Sequence, residues 1–157
     1  MKALITTFIA LLMALPAWAE VQIEEVTSPG GITAWLVEEQ SIPFTALEIW
    51  FAGGASLDQP GKRGAVNLMT ATLEEGAGDM DALAFTRAKE SLAASFDYDV
   101  GDDTLTVSAR FLTENRDASV DLLRETLINP RFDEDAVQRV KGQVLSILRG
   151  DAKDPND

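Results

Sequence analysis

The sequence predicts an α+β sandwich in which helices pack on one face of an antiparallel or mixed sheet. Three observations lead to this prediction. Alternating apolar segments come in pairs separated by glycine-containing turns, which is typical of β-hairpins. Segments with apolar residues at helical spacing also come in pairs. The regular strand–helix–strand alternation of parallel sheets is missing, so the predicted element order is βββ-αα-ββ-αα.

Three strands open the predicted domain. Residues 21–26 and 32–37 alternate loosely around a Ser-Pro-Gly-Gly turn, so they are expected to form a hairpin. Residues 44–52 alternate more strictly and form the third strand, which two glycines end. A polar loop rich in proline and glycine follows at residues 56–63.

Two helices are predicted next. The first covers residues 65–75, with Val66, Met69 and Leu73 on its apolar face. The second follows Gly78, and Asp79 is suited to cap its amino terminus. The apolar stripe of this second helix contains Leu83, Ala84, Ala88 and Leu92.

A second hairpin and a second helix pair complete the pattern. Strands at residues 96–100 and 104–111 are joined by a Gly-Asp-Asp turn. A helix then begins at Thr113 or Asn115, and the last helix covers residues 133–149. Their predicted inward residues are Val120, Leu123 and Leu127 in the first, and Val137, Val140, Val144, Ile147 and Leu148 in the second.

Residues 1–19 have the pattern of a signal peptide. A lysine precedes an apolar run too short to span a bilayer comfortably, and a small-x-small site ends at Ala19. We therefore predict cleavage after Ala19 and a periplasmic or secreted protein without membrane attachment; an uncleaved anchor is the alternative. Residues 20–157 are long enough for one domain, and their polar end favours the N-terminal part of a longer two-domain protein.

The composition limits the possible functions. The chain has 26 acidic and 13 basic residues, a formal net charge of −13, which argues against nucleic acid and anionic membranes as partners. Basic peptides or a basic subunit fit better. The chain contains no histidine and no cysteine, so the usual zinc ligands and a histidine-activated serine are absent.

Two further groups of residues have structural interpretations. The carboxylates around the second hairpin lack the order of a calcium loop, so we interpret them as edge-strand and turn residues: Asp97, Asp99, Asp102 and Asp103. The aromatic residues Trp35, Trp50 and Phe51 are expected in the core or an interface.

Five segments follow one another along the chain: the first hairpin, F-A-G-G-A-S at 51–56, the helix that starts at Gly64, T-L-T-V-S at 104–108 and L-I-N-P-R-F at 127–132. By their order and spacing they together resemble the N-terminal domain of the pitrilysin/insulinase family of zinc peptidases, which includes the mitochondrial processing peptidases. The resemblance covers nearly all of residues 21–157 and implies the metallopeptidase-family roll.

The resemblance also implies a degenerate zinc site. The family's H-x-x-E-H motif lies on the helix at Gly64, and its two histidines fall on Asn67 and Ala71 while its glutamate falls on Thr70. The downstream glutamate ligand falls at Ser146 or the following isoleucine. None of these positions keeps its chemistry, so neither a catalytic residue nor a zinc cofactor is expected.

Glu74 and Glu75 are the nearest carboxylates to the degenerate site. One carboxylate with the Asn67 amide is a poor zinc cage, and a weak one for calcium or magnesium. We interpret both glutamates as solvated residues at the end of a short helix.

By resemblance, the chain is expected to be a non-catalytic subunit that forms half of a peptide-binding chamber with a zinc-bearing homologous subunit. In this family a peptide pairs with an exposed strand edge, and the candidate residues here are Ser95, Phe96, Asp97, Tyr98 and Asp99. Two alternatives remain open: an active metallopeptidase with a rebuilt metal site, and a stand-alone periplasmic binding or scaffold module.

Overall fold

The computed structural model describes residues 21–151, so the predicted signal peptide lies outside the described residues. The chain divides into two compact units, Met1–Ile42 and Pro43–Asp157, and each is described by itself. Among residues 21–151, no helix is both long and apolar enough to cross a membrane. The prediction of one domain within a longer protein stays a prediction.

The strands pair in antiparallel fashion. In chain order they are β1 Glu24–Thr27, β2 Thr33–Leu36, β3 Phe44–Ala52, β4 Gly76–Ala77, β5 Met80–Asp81, β6 Ser95–Val100 and β7 Thr104–Leu112. In the first unit β1 and β2 form a hairpin. In the second unit three strands form a sheet in the order β3-β7-β6. Both predicted hairpins and the predicted third strand are confirmed.

Four helices occur in the described part of the chain: α1 Ala65–Ala71, α2 Ala82–Ser91, α3 Arg116–Ile128 and α4 Glu134–Asp151. The α+β class is therefore confirmed, while the sandwich with helices on one face stays a prediction. The predicted element order lacks the two-residue strands β4 and β5, which form a small hairpin between α1 and α2. Gly76, which directly follows the predicted helix at residues 65–75, has a φ of +126° and starts β4.

The core of the second unit lies between the sheet and two helices. Most of its buried apolar side chains come from β6, β7, α2 and α3, among them Phe85, Phe96, Phe111, Leu122 and Leu123. The ring centroids of Phe85 and Phe96 are 6.5 Å apart. Burial of this apolar area stabilises the sheet against the helices.

The two glycines after β3 bring that strand end close to the β6–β7 turn. The backbone N–H groups of Gly53 and Ala55 donate to the carbonyl oxygens of Asp103 and Gly101, at 2.7 and 2.9 Å. A Cβ atom at Gly54 would lie 2.1 Å from the Gly101 oxygen, which no side chain tolerates. The glycine pair therefore permits a close backbone contact, in addition to ending the strand.

The start and end of two helices differ from the predictions. α1 ends at Ala71 rather than residue 75, because the N–H groups of Thr72, Leu73 and Glu75 donate to carbonyls three residues back and tighten the chain into turns. α2 is capped by Asp81, whose carboxylate accepts from the Ala84 N–H at 2.8 Å. Asp79 lies in the turn between β4 and β5 instead.

Several predicted inward residues are exposed. Met69, Leu83 and Val120 face solvent. Some polar residues of the helices are buried, because a hydroxyl can donate to its own helix: Thr126 is buried and donates to the Leu123 carbonyl at 2.7 Å. Hydropathy alone scores such residues as surface residues.

The predicted apolar stripe of α4 is buried only in part. Val140 is buried, and Val137 and Val144 are half-buried. Ile147 and Leu148 are exposed, because the second half of α4 extends past the described core. The aromatic residues predicted for the core are exposed as well, namely Trp35, Trp50 and Phe51. Their predicted core role is wrong, and an interface role stays a prediction.

Candidate functional site

The amino terminus of α1 is held by a preceding carboxylate. Asp58 accepts hydrogen bonds from the backbone N–H groups of Val66, at 2.9 Å, and Gly64, at 2.5 Å. Both hydrogen bonds lower the pKa of the Asp58 carboxyl below its ordinary value, and the bond from Val66 has the larger effect. The sequence signal for this cap was an aspartate in the loop just before a helix.

The degenerate zinc positions have no metal-binding arrangement. Asn67 and Ala71 are exposed on α1, one helical turn apart. Thr70 is only 4% exposed, and its hydroxyl donates to the Val66 carbonyl at 2.8 Å. The position that would hold a general base is thus occupied by a buried hydroxyl committed to its own helix.

The position of the downstream glutamate ligand does not restore a metal site. Ser146 lies exposed on α4, and a neutral hydroxyl is a poor zinc ligand. Within residues 21–151, no group of three or more acidic side chains is placed to hold a metal ion. The residues present therefore do not fit the zinc ion that H-x-x-E-H would bind.

Glu74 and Glu75 are engaged with other elements. Lys89 on α2 donates to the Glu74 carboxylate at 2.5 Å. Arg139 on α4 donates to both oxygens of Glu75, at 3.0 and 2.9 Å, and this pairing raises the pKa of Arg139. The interpretation of both as merely solvated is wrong: each is half-buried and ion-paired.

The candidate peptide-binding residues lie on the edge strand β6. Gly101 donates its backbone N–H to the Thr104 carbonyl at 2.9 Å, so this opposed pair is hydrogen-bonded. Antiparallel pairs alternate between bonded and non-bonded types, so Ser95, Asp97 and Asp99 are the β6 residues that bond to β7. The remaining β6 residues point their N–H and C=O groups toward the outer edge: Phe96, Tyr98 and Val100.

The outer edge of β6 is unpaired within the described residues. β7 occupies the centre of the sheet, and no further strand of the second unit pairs with β6 on its other side. α1 contacts β6, so the degenerate helix and the edge strand are neighbours. The structure thus brings the two predicted sites together, while the peptide-binding role of β6 stays a prediction.

The side chains of β6 divide between the two faces of the sheet. Phe96 is 4% exposed and Tyr98 is half-buried, whereas Asp97 and Asp99 are exposed on the opposite face. The Tyr98 hydroxyl lies 2.6 Å from the Thr126 hydroxyl on α3. Burial, reinforced by the charges of Glu74 and Asp97, raises the pKa of Tyr98 to about 12.

Comparison with known proteins decides the family. Residues 34–150 match the profile of Insulinase (Peptidase family M16). The chain belongs to the insulinase family. The match begins in β2 and ends near the end of α4, so it includes both α1 and β6.

Related proteins include members described as lacking peptidase activity. The chain is 29% identical over 147 residues to the non-peptidase homolog YmxG of Helicobacter pylori (strain ATCC 700392 / 26695), covering 94% of this chain and 34% of that protein. It is similar to the peptidase M16 inactive domain of Pseudomonas fluorescens, with 27% identity and a TM-score of 0.78 over 86% of this chain and 33% of the other. The chain therefore spans about a third of the length of these relatives.

A more distant insulinase-family structure shares the fold. Pitrilysin matches with a TM-score of 0.69 and 14% identity, over 84% of this chain and 14% of the pitrilysin chain. This likeness confirms the fold alone. The resemblance to the insulinase family seen in the sequence is confirmed by the profile, and the relatives support a non-catalytic member.

Proposed function

We propose that this insulinase-family chain is a non-catalytic subunit that forms half of a peptide-binding chamber with a zinc-bearing homologous subunit. One observation carries the proposal. The helix that holds the family's zinc motif is retained, but Asn67 and Ala71 replace its histidines and the buried Thr70 replaces its base. We infer from the same positions that the chain works without a bound zinc ion.

The relatives and the edge strand support this function. Two of the similar proteins reported above are described as a non-peptidase homologue and as an inactive domain. Peptide binding at a sheet edge needs only backbone donors and acceptors, and the outer edge of β6 offers them. The acidic net charge of −13 suits a basic partner or a basic peptide.

We also propose that the subunit works in the periplasm. The basis is the predicted signal peptide, with cleavage after Ala19. Mass determination of the protein isolated from periplasmic extract tests this point: a mature chain starting at Glu20 is expected, and a cytoplasmic uncleaved chain would contradict it.

The central experiment is reconstitution with a partner. The full chain is co-expressed with a zinc-bearing insulinase-family protein of the same organism, and the two are tested for co-purification, zinc content and cleavage of a quenched fluorescent peptide. We expect a stable complex whose cleavage is abolished by chelator. Asn67→Ala in this chain should leave cleavage unchanged, whereas replacing the partner's motif glutamate by glutamine should abolish it.

Two outcomes would overturn the proposal. Stoichiometric zinc and chelator-sensitive cleavage by this chain alone would favour an active peptidase with a rebuilt metal site. Peptide binding by the chain without any complex with the zinc-bearing protein would favour a stand-alone binding module.

A further inference from the structure

We propose that the β6 edge selects extended peptides with basic side chains at two alternate positions, those facing Asp97 and Asp99. This inference rests on the proposed peptide-binding function and adds the class of peptide. It follows from the hydrogen-bond pattern of β6, from the two faces of its side chains and from the charges along the sheet.

The backbone pattern fixes the register of a bound strand. Phe96, Tyr98 and Val100 carry the outward N–H and C=O groups, so the residues of an antiparallel peptide opposite them form the hydrogen-bonded pairs. Peptide residues opposite Asp97 and Asp99 then occupy non-hydrogen-bonded pairs. In such pairs the Cα atoms approach to about 4.5 Å, compared with about 5.5 Å in bonded pairs, so the side chains are closest there.

The side-chain faces determine which peptide residues meet the carboxylates. Directly opposed residues point to the same face of a sheet. Peptide side chains opposite Asp97 and Asp99 therefore lie on the exposed face, while those opposite Phe96 and Tyr98 lie on the face that carries the core. Alternate positions of one peptide would thus meet a carboxylate and an apolar or aromatic neighbour in turn.

Charges next to β6 distinguish its positions. Asp97 is opposite Ser108, which is opposite Glu48, so two carboxylates share this cross-strand row. A depression of about 210 Å³ lies on the same face and is lined by Glu48, Asp97 and Ser108, among others. Arg110 also lines this depression, on its Ser95 side, so a long basic side chain that enters it meets the carboxylates of Glu48 and Asp97 and a cation at Arg110.

The row at Ser95 provides an internal contrast. Ser95 is uncharged, and its opposed residue on β7 is Arg110. The Arg110 guanidinium lies 5.9 Å from the centroid of the Phe44 ring, so it remains on this face. A basic peptide residue facing Ser95 gains no carboxylate and approaches a cation. The preference for basic side chains should therefore be confined to two positions.

The experiment uses labelled peptides and the full-length protein. Three peptides share an alternating Thr-Val sequence and carry Lys, Thr or Glu at two alternate positions. Fluorescence anisotropy gives their dissociation constants at low and high salt. Because two opposite-charge cross-strand pairs form, the Lys peptide should bind about tenfold more tightly than the Thr peptide, and salt should reduce the difference. The Glu peptide should bind more weakly than the Thr peptide.

Paired variants locate the preference. Asp97→Asn with Asp99→Asn should abolish the advantage of the Lys peptide over the Thr peptide. Asp102→Asn with Asp103→Asn removes the same net charge from the adjacent turn and should keep most of the preference. Circular dichroism verifies that both variants are folded. A Lys peptide with N-methylated backbone amides should lose binding, because it cannot pair as a strand.

The possible failures are distinguishable. Equal affinities of the Lys and Thr peptides for the native protein would overturn the charge selection but not peptide binding. A preference that survives in the Asp97/Asp99 variant would assign the selection to other residues and overturn it as well. If no peptide binds, the proposed peptide-binding function fails, and this inference fails with it.

Discussion

The exposed face of α1 and the outer edge of β6 are neighbouring surfaces that depend on different chemical groups. A zinc site on α1 needs imidazole and carboxylate side chains, and substitution at Asn67, Thr70 and Ala71 is enough to remove it. The proposed peptide binding at the edge of β6 would use backbone N–H and C=O groups, which persist as long as the strand is folded. Loss of catalysis by substitution is therefore compatible with retained peptide binding.

The largest difference between the two surfaces is expected in stability, when a buried side chain is removed from β6 and an exposed one from α1. Phe96→Ala deletes a ring that packs on Phe85, so the free energy of unfolding should fall by about 3–5 kcal/mol. Urea unfolding followed by fluorescence measures the change. Asn67→Ala on the exposed face of α1 is the matched control and should change stability by less than about 0.5 kcal/mol. Similar losses of unfolding free energy in both variants would contradict the assignment of Phe96 to the core and of Asn67 to the surface.

Restoring a histidine pair should return metal binding to α1. Asn67→His with Ala71→His places two imidazoles one turn apart on an exposed face. At zinc concentrations a hundredfold above the dissociation constant, the variant should gain about 2.7 kcal/mol of stability, while the native chain should not respond. The pair Asn67→His with Met69→His points its rings apart and should gain little. Zinc stabilisation of the native chain would contradict the degenerate-site assignment.

Tyr98 should report the packing of β6 directly, because it is the single tyrosine of the chain. Its pKa of about 12 when folded exceeds the ordinary value of about 10, so its contribution to stability is full below pH 10 and is lost as the pH rises toward 12. Ultraviolet titration of the phenol measures the shift. Tyr98→Phe should cost about 1 kcal/mol by removing the bond to Thr126. An ordinary phenol pKa in the folded protein would show that this part of β6 is open to water.

The smallest expected effect concerns the cap of α1. Because the pKa of Asp58 is lowered in the folded state, its contribution is full above the unfolded value of about 3.9 and is lost as the pH falls below it. Asp58→Asn keeps an oxygen acceptor, so it should lower the urea midpoint slightly at pH 7 and by less near pH 3. Asp121→Asn on α3 serves as the control. A difference that grows in acid would contradict this role of the carboxylate.

Local patterns predicted the strands and turns well. Alternation and glycine turns define β3, β6 and β7, because a sheet with one buried face requires such alternation. The absent ligands at Asn67 and Ala71 could also be read directly, since histidine has no substitute in that motif. Strand predictions that depend on neighbouring residues were therefore confirmed, whereas the predicted helix end at residue 75 and the predicted cap at Asp79 were not.

Features that depend on tertiary packing could not be predicted. Buried Thr70 and Thr126 satisfy their hydroxyls within their own helices, so their polarity did not reveal their location. The partners Glu75 and Arg139 are 64 residues apart, and only the packing of α1 against α4 brings them together. Hydropathy contains neither kind of information, so the sequence alone predicts solvated glutamates at these positions.

The pairing of Glu75 with Arg139 bears on how the protein responds to its surroundings. This ion pair connects the turn after α1 to α4, the helix that would supply the downstream zinc ligand in a catalytic relative. Two helices that share a bound metal ion are stabilised more as the metal concentration rises, through mass action. An ion pair between two side chains depends instead on ionic strength, because salt screens the attraction between the charges. The ion pair between Glu75 and Arg139 should therefore be independent of the zinc concentration and should weaken when the ionic strength rises.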